Sequence, residues 1–169
     1  DGDDGTFIGY AAGGANTTAD DNVAVGNFAF DANTTGANNT AIGRSSLSAN
    51  TTAANNTAVG YASSLANTTG TQNTAVGSLA LYSNTTASNN TAVGYLSLHA
   101  NTTGAENTAV GQGALDANTT ASYNTAFGKD AAGAITTGHS NTAIGRYSLL
   151  TSTTGSYNTG LGRDASRYT

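Results

Sequence analysis

The pentapeptide NTAVG stands at 56–60 and returns unchanged at 73–77, 90–94 and 107–111, each time 17 residues on. The frame continues downstream as NTAFG at 124, NTAIG at 141 and NTGLG at 158. Upstream it runs as NTAIG at 39, NVAVG at 22 and a worn GTFIG at 5. Residues 5–169 are thus about ten copies of one unit, with no insertion or deletion between them. A fixed short period dictates architecture before any other feature does, because each unit must be laid on its neighbour. Seventeen residues do not hold a helix, a strand and their loops, and the apolar residues show no 3.6-residue period. The expected fold is all-β: a parallel β-solenoid of about ten 17-residue coils. Residues 1–4 form a short acidic segment ahead of a single repeat domain at 5–169.

Composition fits this fold and little else. Apolar residues make up 37% of the chain and charged residues 9%, too few of either for an ordinary globular core or for a charge-swollen disordered chain. There is no proline to interrupt a backbone ladder. The net charge of −5 and the lack of a basic stripe argue against nucleic acid as a partner. No cysteine is present, so disulfides, thiolate metal sites and a cysteine nucleophile are excluded. No apolar run is long enough for a membrane-spanning helix. With no initiating Met and no signal-peptide pattern, the chain reads as a processed product or a piece of something longer.

Numbering the recurring Asn as position one, the unit is N-T-A-V-G-x-x-[AS]-L-x-A-N-T-T-[GA]-x-x. Position four is always apolar and mostly β-branched, from Ile8 and Val25 to Ile144 and Leu161, which predicts a buried strand residue. Side chains alternate along a strand. Position two (Thr40, Thr57, Thr74 and their equivalents) is therefore expected inside with position four, its hydroxyls bonding along the column. Asn, Ala and Gly at positions one, three and five would then point outward as a face of small residues.

Position five is Gly in every copy: Gly9, Gly26, Gly43, Gly60, Gly77, Gly94, Gly111, Gly128, Gly145 and Gly162. Such a residue marks a turn with positive φ or a backbone approach too close for a Cβ. Position fifteen alternates Ala and Gly, so its backbone is expected to be ordinary. Position nine supplies a second apolar column, Phe30, Leu47, Leu81, Leu98, Leu115 and Leu149, with Leu65 one place late. The Asn-Thr-Thr triplets suit turns, and stacked Asn side chains can form amide ladders. Two coils, at 9–18 and 128–137, lack the position-nine Leu, and the rod is expected to be thinner there. Four or five apolar residues per coil do not offset the ordering of seventeen residues. A further packing surface is therefore expected, the Asn-Ala-Gly face being the candidate, and with it an oligomer.

NTAVGYASSLANTTGTQNTAVG resembles the NTAIG/NTTG-type arrays of phage tail-fibre and bacterial surface proteins. It also resembles the head repeats of trimeric autotransporter adhesins, which turn at a Gly after a similar strand but have a shorter repeat. The resemblance covers residues 5–169. It implies a left-handed β-roll, a homotrimer or an end-to-end filament, a location outside the cell, at the cell surface or on a virion, and an adhesive or structural role.

The chemistry-bearing residues are sparse. His99 and His139 are the only histidines; they lie in different columns without a repeated carboxylate partner. No catalytic residue, metal ligand or cofactor is therefore expected. DGDDG at 1–5 lacks the ligand set of a calcium loop and reads as a frayed acidic end. Candidate surface-binding residues for cell-surface glycans are Tyr61, Tyr82, Tyr95, His99 and Tyr147. The triplets at Asn16, Asn33, Asn50, Asn67, Asn84, Asn101 and Asn118, and Asn38, Asn55 and Asn89, match the N-glycosylation sequon; a turn role for these Asn is the simpler reading. Four of the five cations fall at position six, toward the C-terminal half, while the Asp residues gather at the other end; this bias could orient end-to-end stacking. The alternative to a structural rod is an ice-binding solenoid using Thr and Asn ladders.

Overall fold

The computed structural model describes residues 4–167, so all of the acidic segment except Asp4 lies outside the described residues. Ten strands of three residues each recur at the repeat spacing: β1 (Thr6–Ile8), β2 (Val23–Val25), β3 (Thr40–Ile42), β4 (Thr57–Val59), β5 (Thr74–Val76), β6 (Thr91–Val93), β7 (Thr108–Val110), β8 (Thr125–Phe127), β9 (Thr142–Ile144) and β10 (Thr159–Leu161). They form one parallel sheet in sequence order. Each strand pairs with the next at an offset of one repeat, so Thr57 faces Thr74 and Val59 faces Val76. No helix occurs among the described residues. The chain is a parallel β-solenoid of ten strands and about nine turns. At about 4.8 Å per coil it is a rod on the order of 45 Å long.

The ladder does not stop where the strands end. Backbone bonds to a neighbouring coil recur all round the turn: Phe28 N to Tyr10 O (2.9 Å), Leu47 N to Ser63 O (3.1 Å), Ala66 N to Tyr82 O (3.0 Å) and Thr68 N to Thr85 O (2.8 Å). The second short stretch around position nine is not a strand. Positions seven and nine adopt left-handed conformations even with bulky side chains, as at Leu81 (φ 51) and Leu98 (φ 49). That conformation costs an L-residue about 1–2 kcal/mol, and fully burying a Leu returns about 1.5–3 kcal/mol. Burial therefore decides at position nine, where Phe30 and the in-register Leu residues are fully interior; the displaced Leu65 is only half-buried, and Ser64 takes the core position in its coil.

The strand faces are the reverse of the sequence expectation. Alternation holds, but Ala at position three is fully buried in every coil from Ala24 to Ala143, and Asn at position one is buried from Asn22 to Asn141. Thr at position two and Val or Ile at position four are half-buried or exposed. The cause is volume and polarity together. The core is already filled from the opposite side by the Leu column, and only a methyl fits against it. The Asn amide, meanwhile, has interior carbonyls to bond.

The buried polar core is two Asn ladders. At position twelve, Asn50 donates to Asn33 Oδ1 (3.1 Å), Asn67 to Asn50 Oδ1 (3.0 Å), Asn84 to Asn67 Oδ1 (2.9 Å) and Asn101 to Asn84 Oδ1 (3.0 Å). Each also closes its own turn, as Asn84 does by donating to Ala87 O (2.9 Å). At position one the side chain reaches the same position-fifteen carbonyl, Asn73 Nδ2 to Ala87 O (2.9 Å). Its Oδ1 accepts the backbone N–H of the next Asn, Asn90 N to Asn73 Oδ1 (3.0 Å). The expected turn and ladder roles of Asn thus coincide in one side chain.

The glycines at position five all have φ between 116 and 137. A Cβ on Gly60 would also lie 2.5 Å from the carbonyl oxygen of Gly77, so both reasons for glycine apply at once. At position fifteen φ is ordinary, as expected, yet a Cβ on Gly70 would strike the Ala87 carbonyl and the Asn67 side chain.

The two coils at 9–18 and 128–137 compensate for the missing Leu in different ways. In the first, Phe7 replaces the strand Ala and its ring lies against Gly13, where Leu would otherwise stand. In the other, Ala132 occupies position nine and Ile135 replaces the ladder Asn; both are buried. A large residue at one position compensates for a small one at another.

Every buried polar side chain among the described residues is an Asn or a Ser, so folding fully buries no titratable group. Stability should therefore change little with pH. The resolved carboxylate shift is at Asp116, raised by burial and partly countered by His99. Because its folded pKa is raised, its small contribution is present at low pH and is lost as pH rises through the folded value. Melting temperatures from pH 5 to pH 9 should agree to within a few degrees.

Candidate binding surfaces

The Thr–Val face is the largest exposed feature. Nine in-register pairings stack position two on position two and position four on position four. The face is therefore two straight columns, hydroxyl-bearing and apolar, with no charged residue in either. The apolar column includes Ile8, Ile42, Val76, Phe127, Ile144 and Leu161 among the exposed large hydrophobics. A contiguous apolar strip of this kind marks an interaction surface more often than a lone exposed side chain does. The expected small-residue face does not exist, because its Asn and Ala are inside. Nor do the strand threonines bond along their column. The hydroxyls that do so belong to position thirteen, as in Thr34 Oγ1 to Thr51 O (3.0 Å) and Thr68 Oγ1 to Thr85 O (3.0 Å).

The aromatic residues selected from sequence lie in three separate columns. Tyr61 and Tyr95, at position six, are exposed with Ser78 between them. Tyr82 and His99, at position ten, stack with ring centroids 5.3 Å apart and 21° between planes. His99 Nδ1 lies 3.7 Å from Asp116 Oδ1 on the following coil, a carboxylate partner that the repeat pattern did not flag. Tyr147, at position seven, is held by its neighbours: Arg146 Nη2 donates to its hydroxyl (2.9 Å), and the Arg146 and Arg167 guanidiniums lie 4.4 and 4.9 Å from its ring centre. The Arg146 hydrogen bond lowers the Tyr147 pKa. Only Tyr82 and His99 are brought together.

The charge bias is partly cancelled locally. Lys129 lies 3.6 Å from Asp130, and Arg163 lies 3.1 Å from Asp164.

Asn33, Asn50, Asn67, Asn84, Asn101 and Asn118 are fully buried. Their amides are committed to the ladder, so the folded coil leaves no room for a glycan on them; Asn16, in the first coil, is half-buried and donates to Ala19 O (3.0 Å). The exposed sequons are Asn38, Asn55 and Asn89, at position seventeen.

One cavity was missed from the sequence. It is a shallow depression open to solvent, about 360 Å³ in volume, between Tyr123 and His139 over Ala121, with Thr120, Ser122 and Thr137 around it. The only sequence signal was the change at position seventeen from amides and acids to Tyr123 and Tyr157. No group of three or more metal-ligating side chains occurs among the described residues.

No family model matches this chain, and neither a curated protein nor a solved structure does.

Proposed function

We propose that the chain is a non-enzymatic structural rod, a segment of a fibre shaft, adhesin head or extracellular filament, whose copies pack on one another through the Thr–Val face. The observation that carries this reading is the outward apolar column running the length of the sheet beside a threonine column. Val, Ile, Phe and Leu exposed or half-exposed at every rung would be a liability in an isolated rod. A strip only two columns wide suits three rods round a common axis better than two face to face, since each strip then meets both partners. The tail-fibre and adhesin resemblance supports the trimer, and with it a place at a cell surface or on a virion.

Ice binding is the second reading, and one observation favours it: Thr and Val or Ile point outward together, in register and without charge, on a regular sheet. Against it, the face is not flat. Phe127 and Leu161 stand out at 56% and 74% exposure, relief that a protein partner accommodates and a crystal plane does not.

The test is the native mass by light scattering. The expected value is three times the 16.6 kDa of one chain. Val76→Lys combined with Val93→Lys should reduce it to one chain with an unchanged circular dichroism spectrum, since both side chains lie outside the core. A wild-type monomer would remove this reading. Thermal hysteresis that vanishes in the same double variant would then establish the second.

A further inference from the structure

We propose that the groove carrying Tyr123, His139 and Tyr157 is a binding site for a neutral saccharide. The inference deepens the adhesive part of the reading above and rests on it. The first observation is the exposure of two aromatic rings at one turn position. Position seventeen is left-handed from Asp21 to Tyr157, filled by Asp21, Asn38, Asn55 and Asn89, which tolerate this conformation best, and also by Gln72, Glu106 and Ser140, so the conformation belongs to the repeat. Tyr123 (φ 63) and Tyr157 (φ 60) adopt it too, though a large aromatic is poorly suited to it.

Burial does not compensate. Tyr123 is 58% and Tyr157 78% exposed, so neither ring gains what the left-handed Leu residues gain in the core. Both rings therefore stand in solvent at the surface, where a ligand can reach them.

The second observation is the cavity itself. Its volume, about 360 Å³, lies at the small end of the range for small-molecule sites. Tyr123 forms one wall and His139 the other. His139 meets Tyr157 edge to face at 5.0 Å and 83°, which continues the aromatic wall onto the next coil. Its Nδ1 lies 3.3 Å from Ser140 Oγ, and its backbone N–H donates to Ser156 Oγ (3.0 Å).

Chemistry selects the ligand class. No Asp, Glu, Lys or Arg lines the cavity, which disfavours phosphates, carboxylates and cations. What does line it is aromatic surface, with Thr and Ser hydroxyls that both donate and accept. That combination fits a ring with one apolar C–H face and a hydroxylated rim. Tyr123 and Tyr157 are two coils apart, about 9.6 Å along the axis, so a linear oligosaccharide lying along the rod would meet a ring at each end.

The experiment titrates the folded chain with maltohexaose, cellohexaose and N-acetylchitohexaose while following the His139 ring resonances by NMR. At least one sugar should shift them saturably. Tyr123→Ala and Tyr157→Ala should each weaken that binding about tenfold, with unchanged circular dichroism. The pair Tyr61→Ala and Tyr95→Ala, in another column, should leave it intact. No saturable shift with any of the three sugars would overturn the site, as would binding that survives the Tyr123→Ala/Tyr157→Ala double variant. Binding lost only in the Tyr61→Ala/Tyr95→Ala variant would overturn this site while leaving the adhesive reading in place. The native mass reports separately on association.

Discussion

Gly94→Ala is expected to cost about 3 kcal/mol or more and to split the rod's unfolding into two steps. Two effects add at this position. Its φ of 131 lies where L-residues are strained by about 1–3 kcal/mol. A Cβ there would also stand 2.6 Å from Gly111 O and 2.7 Å from Gly111 C. Both are backbone atoms of the next coil, so relief requires the coils to part. A solenoid is stabilised by nearest-neighbour interfaces, so one weakened interface in the middle uncouples β1–β6 from β7–β10.

Two controls separate these effects. Gly162 is strained in the same way (φ 116), but a Cβ there meets no described atom within 4 Å, so Gly162→Ala should show the conformational part alone. Gly113 has φ 65, and a Cβ there would meet only the Asp130 side chain. It occupies a position where Leu79 and Leu96 adopt the same left-handed backbone, so Gly113→Ala should cost only about 1–2 kcal/mol, the flexible Asp130 side chain giving way. Guanidinium denaturation measures all three. Equal losses for Gly94→Ala and Gly113→Ala would refute the account of the coil contact.

The contrast between these glycines also shows where the sequence was legible. Gly at position five recurs without exception because two independent constraints meet there, and a residue so constrained announces itself. The left-handed Leu column does not. Nothing in Leu81 or Leu98 signals a positive φ, because tertiary burial overrides a local preference there and leaves no trace in residue type.

The inverted strand faces have a related cause. Val59 and Ala58 are both apolar, and hydrophobicity alone favours burying the larger. Which one faces inward is decided by the Leu and Asn contributed from the far side of the coil, a non-local quantity. Asn73 was equally ambiguous: an exposed Asn and a ladder Asn look alike until a second Asn column and a shared carbonyl are placed beside it. The candidate site was the least legible part. Tyr123, His139 and Tyr157 are departures from the repeat, and a pattern built from recurrence passes over what does not recur.

Asn84→Leu should destabilise the rod by about 2–5 kcal/mol, and Asn118→Leu by no more than about 1 kcal/mol, although both residues are fully buried in the same ladder. Leu has the branching of Asn, and its extra bulk is common to both variants, so the difference between them is one of hydrogen bonding. Asn84 donates to Asn67 Oδ1 (2.9 Å) and accepts from Asn101 Nδ2 (3.0 Å). Removing its amide leaves Asn67 Oδ1 without its ladder donor and takes the ladder acceptor from Asn101, each worth about 1–3 kcal/mol when buried. The Ala87 carbonyl is spared, because Asn73 still donates to it (2.9 Å).

Asn118 stands at the break in the ladder. The next coil holds Ile135 where an Asn would donate, and Asn118 Oδ1 is buried without a partner. Asn118→Leu therefore orphans only Asn101 Oδ1, to which Asn118 now donates (2.8 Å). It also removes an acceptor that was already unsatisfied and sets hydrocarbon beside Ile135. The gain opposes the loss. Chemical denaturation of the two variants side by side measures the difference, and equal destabilisation would mean that the amide ladder acts as filler and not as a chain of hydrogen bonds.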